Sequence, residues 1–374
     1  MASFRMAVMT KNKIKRKILA RPEVTGIGVG FADPKRPNRE AAIILYTQQN
    51  LSTSKIDDLQ SAVSAMIRAT GSSTSTPVRI IQAGTATATM PGPSPKDMRL
   101  TQIYRNRHRP VPGGVSVGLS NGSFGTYGLT VIKGGQLFLL GNNHVLGINN
   151  TNQLTQIVQP AFLDGGSFPN DKIGELSQIV LFRPQPQVNY IDAAIGLPTS
   201  DAILDPRYLT SGSEPDRPFF TRLITIPGHL RSYRVGLQVF KTGRATGFKS
   251  GVVESVDTDV DVTFTGIGTF SFERQTIVTS SQLSVSEPGD SGSVWCSLAS
   301  TYAAAVNYGR YSDGRSISYP IHWAMQAFGT LVALPASKSG SVRGRAHKGN
   351  FSYIQPLTKA QLSTIRVVNA RAKR

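Results

Sequence analysis

Cysteine is almost absent from this chain, whose 374 residues contain a single one, Cys296. One thiol cannot close an internal disulfide, and it cannot supply a cysteine-rich metal site such as a zinc ribbon. Because secreted β-rich enzymes often carry several disulfides, the lone thiol favours a reducing compartment. We therefore predict a cytoplasmic location.

Long apolar stretches are missing as well. No apolar run reaches the roughly 18 residues that a membrane-spanning helix needs. The basic N-terminus is not followed by the apolar stretch of roughly 7–15 residues and the small-residue cleavage site that mark a secretion signal. The sequence thus predicts no membrane span and no secretion signal.

Acidic side chains are scarce too. The 41 lysines and arginines outnumber the 22 aspartates and glutamates, so the net charge is +19. Residues 1–40 carry +7 and residues 338–374 carry +9, which leaves the central body close to neutral. The basic ends are either solvated segments that aid solubility or a contact for an acidic partner, such as nucleic acid, anionic lipid or an acidic protein.

Glycine and proline, in contrast, are plentiful, at 36 and 22 residues, and hydrophobic residues make up 39% of the chain. This composition favours a turn-rich β protein with a packed core. Over residues 1–95, two apolar strands, a helix at 55–69 and a third strand predict a small α+β domain. We expect a linker at 96–109 after it.

The central part of the chain, residues 110–336, carries short apolar runs between glycine-rich turns. This spacing is typical of an antiparallel barrel or sandwich. Residues 200–234 show little strand pattern, so we expect a long connection there, and 320–328 predicts a short closing helix. Residues 337–374 form a basic C-terminal extension, which we expect to be disordered at least as far as about Gly349.

The strongest local signal is the string Gly289-Asp290-Ser291-Gly292-Ser293. A glycine two positions before a serine permits a tight turn that aims successive backbone N–H groups inward. Such groups can bind the oxyanion of a tetrahedral intermediate while the Ser291 hydroxyl attacks a carbonyl carbon. An ordinary Asx turn in a hairpin is the other interpretation of this string, so residues elsewhere must decide.

His144 and Asp192 are the residues that favour catalysis. His144 follows an apolar strand pattern, which places an imidazole at the edge of a core, although a lone histidine is more often structural. Asp192 has apolar neighbours on both sides, so its carboxylate should be partly buried and need a partner such as an imidazole N–H. Asp164 and Asp171 are rival carboxylates, but both lie in loops marked by glycine or proline. The chain has no cluster of histidines and carboxylates at ligand spacing, so we predict no metal and no cofactor in the chemistry.

Taken together, these motifs resemble those of trypsin/chymotrypsin-like serine peptidases, specifically the disulfide-poor bacterial type with a small N-terminal domain. The resemblance covers about residues 101–335. It rests on NNHVL around the histidine, YIDAAIG around the aspartate, GDSGS around the serine and VFKTGRATGFKSGVV between the last two. It implies a mainly β fold in which two six-stranded antiparallel β-barrels, chymotrypsin-like, follow the small α+β domain and hold the site between them.

The resemblance also implies a role for each residue of the motifs. Ser291 is expected to be the nucleophile, and His144 the general base and then the general acid. Asp192 is expected to orient the imidazole and to stabilise its charged form. The backbone N–H groups of Gly289 and Ser291 are expected to form the oxyanion hole.

Further assignments concern the surroundings of the nucleophile. Arg244 in KTGRATG matches an arginine of bacterial members, so we expect it to form an ion pair with Asp290 and to preset the oxyanion hole. Val285 matches the floor of the primary specificity pocket, where no acid falls, so a small or medium apolar residue is expected before the cleaved bond. The strand expected to line this pocket and to pair with the substrate backbone contributes Asn307, Tyr308 and Gly309.

The sequence therefore predicts a serine endopeptidase that forms an acyl-enzyme with a protein or peptide substrate, within a restricted substrate range. Two alternatives stay open. One is a catalytically silent module that binds peptides on the same fold. The other is a protein that binds polyanions through its basic ends, a role that can coexist with peptidase activity.

Overall fold

The computed structural model describes residues 1–37, 40–71, 76–88, 98–120, 122–214, 217–281, 284–345, 347 and 349–372, and all their side chains except those of 98–100, 212–214 and 217–220. The chain folds mainly into β-strands, which confirms the predicted fold class. None of the helices found among these residues has the length and apolar character that a bilayer crossing requires.

Two helices and three strands make up the N-terminal part of the chain. They are α1 (Phe4–Leu19), β1 (Val24–Phe31), β2 (Ala41–Thr47), α2 (Thr53–Ala69) and β3 (Val78–Ile81). Ile14 of α1 and Val63 of α2 pack with Ile27 of β1 in one hydrophobic cluster, which is why the apolar faces of both helices are buried. The predicted strands and the second helix are confirmed. Helix α1 was not predicted, because basic side chains dominate its exposed face.

The remaining elements follow in chain order. Up to β13 they are β4 (Ala86–Ala88), α3 (Met98–Arg105), β5 (Val111–Gly113), β6 (Ser116–Leu119), β7 (Phe124–Thr126), β8 (Thr130–Lys133), β9 (Gln136–Gly141), α4 (Asn143–Leu146), β10 (Gln156–Val158), β11 (Lys172–Leu181), β12 (Val188–Asn189) and β13 (Ala194–Pro198). After it come β14 (Leu204–Glu214), β15 (Arg217–Ile224), β16 (Gly228–Leu230), β17 (Gln238–Gly243), β18 (Gly247–Phe264), β19 (Gly268–Thr279), β20 (Val294–Ser297), β21 (Ala303–Tyr311), β22 (Ser316–Pro320), α5 (Ile321–Phe328), β23 (Leu331–Leu334), β24 (Lys338–Ser339), β25 (Ser341–Arg343), α6 (Lys359–Leu362) and β26 (Arg366–Asn369). The predicted closing helix is α5.

Two large sheets position the candidate site. The first has ten strands, in the order β24-β23-β8-β9-β13-β11-β10-β6-β7, with β26 beside β11. The second has thirteen strands and runs β12-β19-β22-β21-β20-β17-β18-β1-β2-β3, with β4, β16 and β25 joined at its sides. Strands β15, β14 and β5 form a third, small sheet. The N-terminal strands thus continue the second sheet, because β1 pairs antiparallel with β18.

The segment 200–234 corrects one expectation. It is not a plain connection, because β14, β15 and β16 lie within it. Its prolines obscured the strand pattern. Pro206 lies in β14 ahead of Tyr208, where pairing with β15 begins. Proline has no backbone N–H, but β15 needs none at this position.

The C-terminal extension corrects another. Residues 338–343, expected to be disordered, form β24 and β25, which pair with β23 and β16. They are exposed and carry no apolar periodicity, so only the neighbouring strands reveal them. The first two residues of the expected linker, 96 and 97, lie outside the described residues, and the linker continues into α3.

Candidate active site

The first half of the candidate site lies where β9 ends and α4 begins. His144 is in the first turn of α4, and Asp192 lies just before β13, the strand that pairs with β9. The imidazole Nδ1 of His144 contacts Oδ2 of Asp192 directly. The side chain of Asp192 is fully buried and that of His144 is 4% exposed. The expected histidine–aspartate contact is therefore present.

The local backbone fixes the orientation of the Asp192 carboxylate. Its Oδ1 accepts hydrogen bonds from the backbone N–H groups of Asn143, at 2.7 Å, and His144, at 3.4 Å. The side-chain amide of Asn142 donates to the Asp192 carbonyl oxygen at 2.6 Å. These bonds satisfy N–H groups at the start of α4 that have no partner within the helix. The rival carboxylates lie elsewhere: Asp171 pairs with Arg107.

The second half of the site is a tight turn between β19 and β20. Gly289 and Gly292 adopt φ angles of +104° and +97°, a conformation that favours glycine. Space is also short, because a Cβ on Gly292 would lie 2.1 Å from the carbonyl oxygen of Thr126. Thr126 on β7 holds the turn, since its hydroxyl donates to the Gly289 carbonyl oxygen at 2.8 Å and its N–H to the Ser291 carbonyl oxygen at 2.7 Å.

The turn leaves two donors unused. Among the hydrogen bonds of the described residues, Asp290 N–H donates to Glu287 and Gly292 N–H donates to Asn307, whereas the N–H groups of Gly289 and Ser291 have no acceptor. These are the two groups expected to form an oxyanion hole. Unpaired donors in a buried turn are costly to maintain, so a turn that keeps two of them is suited to an anionic guest.

The Ser291 hydroxyl has a partner other than the histidine. It donates to the carbonyl oxygen of Tyr308 on β21 at 3.4 Å, and no hydrogen bond joins these two described side chains, Ser291 and His144. The two halves nevertheless meet at β7. A Cβ on Gly125 would lie 2.7 Å from the side chain of Val145, the neighbour of His144, and 2.8 Å from the Ser291 carbonyl oxygen.

Asp290 has a partner that the sequence analysis missed. Its Oδ2 lies 3.1 Å from Nζ of Lys241 on β17, and neither side chain is exposed. The hydroxyl and N–H of Thr246 and the N–H of Ala245 also donate to this carboxylate. Burial by itself raises the pKa of Asp290, but Lys241 and the hydrogen bonds outweigh burial and the pKa is lowered. A lysine within the apolar strand VFKTG is the signal that could have pointed to this pair.

The expected pairing of Arg244 with Asp290 is wrong. Arg244 Nε and Nη2 donate instead to Asp164, at 2.5 and 2.7 Å, and its guanidinium stacks over Phe124 at 4.5 Å. The ion pair joins the two large sheets. Arg244 still supports the turn, because a Cβ on Gly289 would lie 2.8 Å from its Nη1. Lys241 already fills the place beside Asp290, which leaves Arg244 free to reach across to Asp164.

The residues expected to bind substrate are all buried. They are Val285, Asn307, Tyr308 and Gly309. Asn307 Oδ1 accepts hydrogen bonds from the hydroxyls of Ser286, at 3.1 Å, and Ser316, at 2.6 Å. The surroundings of Asn307 are therefore rich in hydroxyl groups.

A cavity of about 110 Å³ lies beside His144. Phe264 at the end of β18 and Ala88 of β4 line it, and the rings of His144 and Phe264 are 5.4 Å apart. Within the described part of the chain, no group of three or more His, Cys, Asp or Glu side chains is arranged to hold a metal ion.

Comparison with known proteins gives fold neighbours only. No protein-family model matches the chain, and no curated protein matches it. Similar solved structures include a glutamic acid specific serine protease, Nocardiopsis protease and Thermobifida fusca protease A, at 22%, 21% and 21% identity and a TM-score of 0.41 each. Each match covers 59% of this chain and 100%, 97% and 98% of the respective neighbour. At these identities the likeness concerns the β fold and not the chemistry of the site.

Proposed function

We propose that this protein is a serine endopeptidase in which His144, Asp192 and Ser291 act as a catalytic triad. One observation carries the proposal: a buried histidine–aspartate contact and a serine turn with two unpaired N–H groups both lie beside Gly125 of β7, the first through Val145 and the second through the Ser291 carbonyl oxygen. Three side chains separated by 48 and 99 residues in the sequence are thereby brought to the boundary of two sheets. Acyl transfer uses these three residue types in a hydrogen-bonded row, which here requires a rotation of the Ser291 side chain.

In the proposed reaction, Ser291 Oγ attacks the carbonyl carbon of a peptide bond while Nε2 of His144 takes the hydroxyl proton. The N–H groups of Gly289 and Ser291 bind the oxyanion, and one such donor is worth about 3 kcal/mol of barrier. His144 then gives the proton to the leaving amine, which breaks the C–N bond and leaves an acyl-enzyme. Water attacks the ester with His144 again as base, and the acid product departs.

One movement is required before attack. Ser291 Oγ must leave the Tyr308 carbonyl oxygen and turn toward His144. At 3.4 Å the bond to Tyr308 is long for an O–H···O hydrogen bond, so little free energy opposes the rotation. Side-chain rotations of this kind take place on a timescale far shorter than that of turnover.

The substrate range follows from the surroundings of Asn307. Because Ser286 and Ser316 both donate to its Oδ1, the Nδ2 donors of Asn307 are free to meet a polar side chain. A pocket with such donors rejects side chains that leave them unpaired. We therefore propose a restricted range of protein substrates, with small polar residues accepted beside the small or medium apolar residues expected from Val285.

The test uses a fluorophosphonate probe and a mixed peptide library. The wild type should be labelled at Ser291 and should cleave a subset of the library, and Ser291→Ala should do neither. Ser293→Ala is the matched control, because Ser293 lies in the same turn with a buried hydroxyl that has no hydrogen-bond partner. Absence of labelling and of cleavage in a folded wild-type sample would overturn the proposal.

A silent peptide-binding module is the second candidate. The hydrogen bond from Ser291 to Tyr308, in place of one to His144, favours it. The module would bind an extended peptide with the same affinity in the wild type and in Ser291→Ala, and it would cleave none.

The basic ends give weaker support to a polyanion partner. Lys11 and Lys15 of α1 already pair with Asp257, Asp259 and Glu273, so part of the N-terminal charge is neutralised. Deleting 338–374 should lower polyanion affinity and flatten its salt dependence if that role exists. The cytoplasmic location also stays a prediction, which rests on Cys296.

A further inference from the structure

We propose that β4 occupies the strand edge to which a substrate peptide would bind, so that the chain inhibits its own site. The inference rests on the proposed function, because it takes β21 beside Ser291 as the substrate-binding strand. The occupant is defined: it is β4, Ala86–Ala88, which follows β3 in the chain.

The pairing of β4 is that of an inserted peptide. Thr87 pairs antiparallel with Arg310 of β21, and Ala86 pairs with Tyr311. On its other side, β4 pairs parallel with the end of β18, where Ala88 is opposite Phe264. The segment therefore fills a gap between two strands with main-chain hydrogen bonds, which is how extended peptides add to a sheet.

The position of β4 leads toward the catalytic groups. From Tyr311 back to Tyr308, the β21 edge runs from the β4 contact to the carbonyl oxygen that accepts the Ser291 hydroxyl. Between these points, a Cβ on Gly309 would lie 3.1 Å from the Thr87 carbonyl oxygen, so no side chain separates the two strands. Ala88 then lines the cavity that His144 also lines.

Contacts before β4 hold it in register. Ser312 N–H donates to the Thr85 carbonyl oxygen at 3.1 Å, and the N–H of Asp313 donates to the Ala83 carbonyl oxygen at 3.0 Å. Only residues 82–85 connect β3 to β4. A segment tethered so closely has an effective concentration of millimolar or more, so a free peptide at lower concentration loses the competition.

The inhibition explains how a peptidase could remain restrained. A substrate that pairs with β21 must first displace β4, whose side chains Ala86 and Ala88 are 5% and 4% exposed. Small side chains and few contacts make this displacement feasible for a substrate with larger anchors. The N-terminal part of the chain, whose role the sequence left open, then acts as an intramolecular competitor.

The first experiment compares full-length variants. Thr87→Pro removes a strand N–H, and Ala88→Glu places a charge in a buried position, so both should release β4. Each should raise kcat/KM on the peptide library at least tenfold, mainly through a lower KM. Thr87→Val keeps the strand and should match the wild type. Ile80→Pro disturbs β3, away from the site. An equal rise of kcat/KM in this variant would overturn the inference.

The second experiment does not depend on catalysis. In a Ser291→Ala background, a synthetic peptide of residues 83–88 should bind at least tenfold more tightly to Thr87→Pro than to the protein with β4 intact. Equal affinities in the two proteins would overturn the inference. Tighter binding without hydrolysis in any active-serine variant would keep β4 as a competitor and end the proposed peptidase activity instead.

Discussion

Lys241 and Asp290 form an ion pair with neither side chain exposed, with Nζ and Oδ2 3.1 Å apart, next to the residue proposed as nucleophile. A buried charge is tolerated only when it is paired. Asp290 lies in the serine turn, and its carboxylate also accepts hydrogen bonds from Thr246 and Ala245, which follow β17. The conformation of the turn therefore depends on a strand of the second sheet rather than on the turn's own sequence.

Lys241→Met should unfold more easily than any neighbouring substitution. It leaves Asp290 buried without its counter-charge, at a cost of about 3–5 kcal/mol in the free energy of unfolding. Denaturant titration measures this cost. Lys249→Met is the matched control, because Lys249 is opposite Lys241 in the β17–β18 register and makes no ion pair among the described residues. Equal stabilities of the two variants would contradict the role of the pair.

Gly289→Ala should lower kcat more than it lowers the stability of the fold. Alanine is strained at φ +104°, and its Cβ would lie 2.8 Å from Arg244 Nη1, so the Gly289 N–H should tilt away from the oxyanion. We expect kcat to fall by about 10²–10³. Gly122→Ala separates strain from position, because Gly122 has the same φ of +104° with nothing within 4 Å. A similar fall of kcat in both variants would show that backbone strain alone, and not the position of the Gly289 N–H, lowers the rate.

Asp192→Asn should slow acylation with the fold intact. The amide cannot hold His144 in the tautomer that leaves Nε2 free to accept a proton, and kcat should fall by about 10⁴. The rate of fluorophosphonate labelling gives the measurement. Asp171→Asn removes the rival carboxylate, which pairs with Arg107, and should label at the wild-type rate. Labelling of Asp192→Asn at the wild-type rate would remove Asp192 from the mechanism.

The pair of His229 and His322 should make the free energy of unfolding depend on pH. His229 Nε2 and His322 Nδ1 are 2.9 Å apart, and burial lowers the pKa of His229 from 6.5 to about 3 and that of His322 to about 4. Above pH 6.5 both histidines are neutral in the folded and in the unfolded chain, so they leave the free energy of unfolding constant. Below it the unfolded chain binds protons that the folded chain excludes. The free energy of unfolding should therefore fall by about 1.4 kcal/mol per pH unit for each histidine, until the folded values are reached.

Denaturant titrations from pH 8 to pH 4 test this slope. His322→Phe should reduce it by one histidine's share, whatever its effect on stability at pH 8. An unchanged slope in His322→Phe would assign the acid sensitivity to other groups.

Several parts of the fold were accessible from local pattern. The β1, β2 and α2 segments have strong apolar periodicity, and Asp192 stood out among three aspartates because apolar residues flank it. The predictions failed at strands whose own sequence lacks a strand pattern and which form only through their contacts with neighbouring strands. Pro206 lies in β14 where β15 requires no N–H, and β24 and β25 carry no apolar pattern because they are exposed.

The sequence by itself determined the mainly β class and the chemical types at positions 144, 192 and 291, because strand periodicity and residue chemistry are local properties. Only the tertiary structure decided which charges pair, assigning Lys241 to Asp290 and Arg244 to Asp164, since the fold brings these partners together from segments that are distant in the sequence. It also decided where β4 lies. A strand of three small residues carries almost no signal of its own, and its place follows from its pairing with Arg310 and Tyr311 of β21.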